Sequence, residues 1–369
     1  MRSLLTTEQA ACFAATPEEA AEQFVQACTA AGADLETLTH PDATGPRGES
    51  LAIRAAWMGN PEARRILFAI SGTHGQEAFA GSASMVDWIN GDGFRHLPDD
   101  VAVLFVHGLN PYGWAHGSRT NENNVDLNRN FMDHDRGHAP NPVYERLHDQ
   151  LTVRDVSEKA LLDVLKRIAD FRREIGENRV MQAMLSGQYT HPDGRNYGGV
   201  ELQWSNRQLQ EIVDCRLAGA EAVAVIDWHT GLGEFGKPHF LSFADPASEA
   251  YALAVKWWGN DRLHNDERYS KASGMIVTEV VRQLVRRGVA ATGVVIEWGT
   301  YSLEAVMCAL FMDQWLRFEC REPDSPEAVR VRTRMMERFY PSVPEWRASL
   351  IEHAREIYSA TLRGLRNWR

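Results

Sequence analysis

His74 and Glu77 stand three residues apart in FAISGTHGQEAFAGSASMVDWING, between an apolar run and a helical pattern that stops at Gly91. An imidazole and a carboxylate make two of the three protein ligands that a catalytic zinc commonly takes, often two histidines and one glutamate, with water in the remaining position. Spacing alone decides nothing, since His-x-x-Glu recurs at His264 with Glu267 and at His353 with Glu356 in a chain of 13 histidines. Context separates the first pair. Its glycine-containing turn allows close backbone approach and can aim both side chains at one point. His264 falls in a polar loop and His353 in a charged amphipathic helix pattern, as solvated surface does.

A metal would need a further donor. His229, in AVIDWHTGLGEFG, ends an apolar run and enters a glycine-rich loop, whereas His107, at a similar strand end, and His191 and His239, in loops, lack an equally good companion motif. A separate stretch, NPYGWAHGSRTNENNVDLNRNF at residues 110–131, gathers Arg119, Asp126, Asn128 and Arg129. It reads either as a solvated, turn-rich loop or as chemistry. In the second case Asn128 and Arg129 present an amide beside a planar guanidinium, a pair suited to clamping a carboxylate by charge-assisted hydrogen bonds.

Such residues must be held by regular elements. Four apolar runs read as buried strands: RILFAI before Ser71, VAVLFV before His107, EAVAVIDW before His229 and ATGVVIEW around Glu297. Helical patterns at 77–90, 205–217, 249–263 and 302–320 alternate with them, as a mostly parallel sheet requires. Ligands of open α/β sheets gather at the carboxyl ends of strands, so the polar residues there sketch one site. Thr16-Pro17-Glu18-Glu19 reads as a capping box with proline at the first helical position, opening an alanine-rich helix, peripheral to the chemistry, that ends near Gly32. The expected architecture is one α/β domain over residues 1–369, a mixed, mostly parallel sheet sandwiched by helices. Its core spans about 65–315, with a charged helical insertion at about 144–188 and amphipathic C-terminal helices at about 323–369 for packing or oligomer contacts.

A formal net charge of -11 and a pI near 5.7 disfavour nucleic acid and anionic membrane as partners and fit a small or peptide substrate, leaving homo-oligomerisation open. Neither a leader pattern nor an apolar run of membrane-spanning length stands out, so the expected location is cytoplasmic. Cys12, Cys28, Cys215, Cys308 and Cys320 are odd in number and form no Cys-x-x-Cys; buried, reduced thiols are expected.

GTHGQE, then NPYGWAHGSRTNENNVDLNRNF, then VIDWHTGLG, then VVIEWGTY together resemble the ordered motifs of the zinc metallocarboxypeptidase superfamily, which includes the aspartoacylase and succinylglutamate desuccinylase-like deacylases. The resemblance covers about residues 65–315, and Asp-Leu-Asn-Arg-Asn-Phe is its most specific part. It implies that His74, Glu77 and His229 bind one zinc ion, that Asn128 and Arg129 hold a substrate carboxylate, and that Arg119 polarises the scissile carbonyl. Asp126 would support the first ligand histidine, and Glu297 would be the general base. The superfamily's peptidases also use a mobile tyrosine upstream of the base, and Tyr269 lies at a matching distance. With zinc lowering the pKa of water, Glu297 could accept a proton as oxygen attacks an amide carbonyl, and then return it to the departing nitrogen.

Tyr112 and Asn124 stand where the peptidase loop usually has aspartate and glycine, and IEWGTYS resembles the deacylase strand at least as much as that of digestive peptidases. Three functions follow. A metallocarboxypeptidase would hydrolyse an amide next to a free carboxylate, an aspartoacylase-like deacylase would act on N-acyl amino acids, and an inactive zinc- or carboxylate-binding module would have lost the base.

Overall fold

The computed structural model describes residues 4–368. Among them eight strands form one sheet: β1 Asp34–Thr44, β2 Ser50–Gly59, β3 Arg65–Ser71, β4 Val101–His107, β5 Ala222–Gly231, β6 Pro238–Leu241, β7 Leu263–His264 and β8 Ala290–Gly299. The spatial order is β1-β2-β4-β3-β5-β8-β6-β7. The centre, β4-β3-β5-β8, is parallel throughout, while β1 with β2, β2 with β4, and β6 with β8 pair antiparallel. The sheet is thus mixed and mostly parallel at its core, with helices on both faces.

The central strands are continuous apolar runs because both faces are covered. Leu67, Ala69, Val103, Phe105, Ile226 and Trp228 turn to one face, under the helices Pro17–Ala31, Ala78–Asn90, Glu249–Trp258 and Pro344–Arg366. Ile66, Phe68, Leu104, Val106, Val223 and Val225 turn to the other, under Trp204–Arg216 and Ile276–Arg286. The last long helix, Pro344–Arg366, is core and not rim. Its Trp346 donates from Nε1 to the Gly299 carbonyl at 2.8 Å, and its Tyr358 hydroxyl accepts from Trp228 Nε1 at 3.0 Å.

Four strands escaped the sequence reading, and each has a reason. Edge strand β1 leaves most of its residues to solvent and lacks an apolar run, β2 is interrupted by Arg54, and β6 and β7 have only four and two residues. At the first long helix, Thr16 Oγ1 accepts from Glu19 N, but the Glu19 carboxylate accepts from Ala15 N instead of returning to Thr16, so the box is half made. Gly32 ends that helix at φ 68, in the left-handed region.

Residues 142–185 form three helices, Pro142–Leu151, Glu158–Ile175 and Glu177–Leu185, with no strand inside them. They build a third apolar cluster with Leu303–Phe318 and Pro326–Phe339, through Tyr144, Leu147, Ile168, Phe311 and Phe339. The cysteines depart from expectation. All five are free thiols, but only Cys12 and Cys28 are buried, while Cys215 is exposed and Cys308 and Cys320 are half-buried. No helix among the described residues is long and apolar enough to cross a membrane.

Candidate metal centre and active site

Leaving β3, the chain turns at Gly72 (φ 78), passes through an extended His74, makes one 3-10 turn over Gly75–Glu77 and enters the helix Ala78–Asn90. Gly75 is required by proximity: a Cβ there would lie 2.0 Å from the backbone carbon of Gly113. That close approach locks the turn against the helix Pro111–His116 and sends His74 and Glu77 inward, both buried. His229 arrives from the adjacent strand. It lies on the same face of β5 as Val223, Val225 and Asp227, because strand side chains alternate.

Three side chains converge. His74 Nδ1 lies 3.0 Å from Glu77 Oε1, His229 Nδ1 lies 3.1 Å from Glu77 Oε2, and the two Nδ1 atoms are 3.1 Å apart. The outer nitrogens are taken: His74 Nε2 faces Asp126 Oδ1 at 3.2 Å and His229 Nε2 faces Asp227 Oδ2 at 2.8 Å. A buried carboxylate favours the tautomer with hydrogen on Nε2, which leaves each Nδ1 with a lone pair pointing inward. Two lone pairs and a carboxylate crowded into a dry pocket repel one another unless a cation sits among them. The donor set therefore fits a metal ion, and tetrahedral zinc, with ligands at about 2.0–2.1 Å, spaces them similarly. A second cluster, His148, His191 and Asp193, is less suited. Its imidazoles stack 3.8 Å apart at 19°, so their lone pairs run side by side instead of meeting.

Electrostatics ties the surrounding ions to this point. Burial alone would push the Asp126 carboxyl up, but Arg119 and His74 hold it well below the usual range. Arg119 donates from Nε and Nη2 to Asp126 Oδ2 at 3.3 and 3.0 Å, and from Nη1 to Glu77 Oε1 at 3.4 Å. Burial disfavours the Arg119 charge, yet Asp126 and Glu77 outweigh it and keep the guanidinium protonated. Glu297 sits on β8 in direct register with His229 on β5. Burial, and then the Glu77 charge, push its pKa up to about 7.

Asn128 and Arg129 line the same cavity. Asn128 Oδ1 accepts from Ile276 N at 2.9 Å, which turns the side-chain amide nitrogen the other way. Arg129 spends Nε on the Leu185 carbonyl at 2.9 Å and Nη1 on the Asn128 carbonyl at 2.6 Å. Only Nη2 is wholly uncommitted, so a bidentate clamp through the full fork is not what the arrangement offers. Tyr269 also lines the cavity, in the 3-10 turn Glu267–Tyr269. Its ring lies 5.2 Å from that of Phe243, and burial, then Glu297, push its phenol up to about 12.

The other histidines go elsewhere. His107 faces Ser82 Oγ at 2.8 Å and stacks on Phe24, His191 pairs with Glu145 at 2.7 Å, and His239 stacks on His264. His353 faces its own helix, with Nδ1 2.8 Å from the Ser349 carbonyl. The asparagine-rich loop is structural glue around the site. Asn124, standing where the resembled peptidase loop has glycine, adopts φ 57, a left-handed conformation that asparagine tolerates, and its amide donates to the Pro192 and Gly194 carbonyls. Two residues were missed. Asp227 carried a readable signal, because Asp-x-His within a strand places both side chains on one face. Arg195 carried none: it reaches the cavity from a loop after the helical insertion.

Residues 13–353 match the family model described as "Protein of unknown function (DUF2817)". Among solved structures, the chain is similar to the carboxypeptidase A from Helicoverpa armigera, 12% identical over 87% of this chain and 73% of that one, with a TM-score of 0.45. It is also similar to the bovine thrombin-activatable fibrinolysis inhibitor, 10% identical over 92% of this chain and 97% of that one, TM-score 0.45. A third is the ectoine utilization protein EutE from Ruegeria pomeroyi, 13% identical over 77% of this chain and 67% of that one, TM-score 0.39. No curated protein matches the chain.

Proposed function

The chain belongs to the DUF2817 family, and we propose that it is a zinc-dependent hydrolase of metallocarboxypeptidase type, cleaving an amide bond next to a free carboxylate. The observation that carries this reading is the inward convergence of His74 Nδ1, Glu77 and His229 Nδ1 at 3.0–3.1 Å, with Glu297 in register beside His229. Two imidazoles and one carboxylate suit zinc. When bound, zinc supplies Lewis acidity toward water and toward a carbonyl oxygen.

The chain's own groups do the rest. Arg129 Nη2 and the Asn128 amide meet the substrate carboxylate and fix the amide bond in the cavity. Glu297, buried and with a raised pKa, takes a proton from the attacking water at neutral pH and passes it to the leaving nitrogen. Arg119, held by Asp126, keeps a fixed positive charge near the oxygen on which negative charge develops. The same groups serve removal of a C-terminal residue from a peptide and removal of an acyl group from an amino acid, so a panel of short peptides beside N-acyl amino acids identifies the preferred class.

Glu297→Gln tests the assignment. The variant should keep its zinc content and melting temperature while turnover falls by about two to four orders of magnitude, the usual worth of positioned acid–base catalysis. Near-normal turnover would refute the base. Loss of metal would make Glu297 a ligand instead.

A further inference from the structure

Three guanidinium groups line the cavity, and they are not equivalent. Arg119 is paired with Asp126 and Glu77, and Arg129 is tied to two backbone carbonyls. Arg195 has neither. Its Nη1 is buried without a hydrogen-bond partner, no ion pair to it is present among the described residues, and its one contact of note is the Phe311 ring, 4.8 Å from the guanidinium carbon. Burial pulls its pKa down to about 10, and the Asp313 carboxylate, which favours the charge but forms no ion pair with it, does not restore it.

The backbone that presents it is fully engaged. Arg195 N donates to the Tyr144 hydroxyl at 2.7 Å, and the Arg195 carbonyl accepts from Gln188 Nε2 at 3.4 Å. Gln188 N bonds the Asn196 carbonyl at 3.1 Å, Asn196 Nδ2 bonds the Met184 carbonyl at 2.5 Å, and Asn196 itself sits at φ 52. A loop pinned on both sides thus holds out a side chain that bonds to nothing. A half-buried guanidinium whose Nη1 is shut off from water and unbonded costs stability, and the ring beneath it returns only part of that cost. A ligand anion would supply the remainder.

We propose that Arg195 binds a second carboxylate of the substrate, so that the cavity takes amides bearing two carboxylates, one at Arg129 and one at Arg195. The inference rests on the hydrolase reading for the cleavage and on Arg195 alone for the choice of substrate. Met184, Met307 and Leu310 also line the cavity and give a methylene chain apolar surface to cover.

The test uses binding first, because it does not depend on turnover. Glutarate and pentanoate, of equal carbon count but two carboxylates against one, are titrated calorimetrically into the zinc-loaded full chain. Wild type should bind glutarate roughly ten- to a hundredfold more tightly, the worth of one charge-assisted bond, and Arg195→Gln should lose most of that ratio. Equal binding of the two acids by wild type overturns the proposal whether or not the variant folds, as does an unchanged ratio in a folded Arg195→Gln. Hydrolysis is scored separately, on an N-acyl amino acid with a carboxylate at the end of the acyl arm and on the same compound with that carboxylate amidated. Cleavage of both with an equal ratio in wild type and variant keeps the hydrolase reading and overturns the second anchor. Glutarate selectivity that depends on Arg195, without cleavage of any amide, supports the anchor and overturns the hydrolase.

Discussion

Asp227→Asn is the substitution whose outcome depends most directly on the metal-centre geometry. Asp227 is fully buried and its two oxygens have separate duties: Oδ2 faces His229 Nε2 at 2.8 Å, and Oδ1 accepts from Thr73 Oγ1 at 2.8 Å. The carboxylate therefore fixes the His229 tautomer and raises the basicity of its Nδ1, while Thr73 fixes the carboxylate. Asparagine keeps the shape and removes the charge. If its carbonyl faces His229, a charge-assisted bond becomes a neutral one, and if its NH2 does, the histidine proton is driven to Nδ1 and the lone pair is lost. Loss of such an outer partner weakens metal binding by about 10- to 100-fold, or roughly 1.4–2.8 kcal/mol. The assay is competition for zinc with a fluorescent chelator at neutral pH, with melting curves taken with and without chelator to separate metal loss from unfolding. Thr73→Val should produce a smaller weakening, since it loosens the carboxylate without removing it. A zinc Kd for Asp227→Asn equal to that of wild type would refute the view that this carboxylate orients His229.

His74→Ala and His229→Ala should each lose stoichiometric metal by elemental analysis, while His353→Ala, whose ring faces its own helix, should keep it. Arg129→Ala should reduce kcat/KM on a substrate with a free carboxylate roughly ten- to a hundredfold more than on the amidated analogue. Lysine should rescue poorly because it cannot also hold the Leu185 and Asn128 carbonyls; equal losses on the two substrates would remove Arg129 from carboxylate binding. Gly75→Ala forces a methyl group into the Gly113 backbone and should destabilise the fold by at least about 1–3 kcal/mol in urea denaturation, whereas an unchanged midpoint would mean the turn can move. The base must be deprotonated to act, so kcat/KM should rise with pH through the Glu297 pKa. Burial and Glu77 raise that pKa from 4.5 to about 7 and a bound cation lowers it again, so the midpoint should fall between those values; a flat profile across that window would exclude Glu297 as the base.

The sequence disclosed the parts of this protein in which pattern and burial coincide. β3, β4, β5 and β8 are buried on both faces and spell uninterrupted apolar runs, so the centre of the sheet and the polar residues at its strand ends could be read directly. β1 could not, because its exposed positions carry the polar string DLETLTHPDAT, and β6 and β7 are too short for any periodicity. Cys215 was misjudged because thiols are usually buried, whereas here the covered side of its helix belongs to Leu209, Ile212 and Val213. Asp227 was hidden in plain view inside an apolar strand. Arg195 was beyond reach: what makes it notable is an absence of partners in three dimensions, and its backbone is held by Tyr144, 51 residues away.

The cavity is assembled from two sources. His74, Glu77, His229 and Glu297 sit on or just beyond sheet strands whose pairing cannot slip without displacing a whole face of core residues. Arg195, Met181, Met184 and Leu185 come from the helical segment and the loop after it, whose entry is pinned at Asn141 by bonds to the Ala183 and Gly187 carbonyls. Varying the cavity-facing side chains of that segment would alter the surface that selects a substrate and spare the strands beneath, whereas exchanging its backbone would remove the Leu185, Pro192, Gly194 and Tyr197 carbonyls that hold Arg129, Asn124 and Asp126. For a protein engineer this makes Met181, Met184 and Arg195 the positions for a library: their side chains line the cavity, and changing them leaves in place the backbone that holds the site loop.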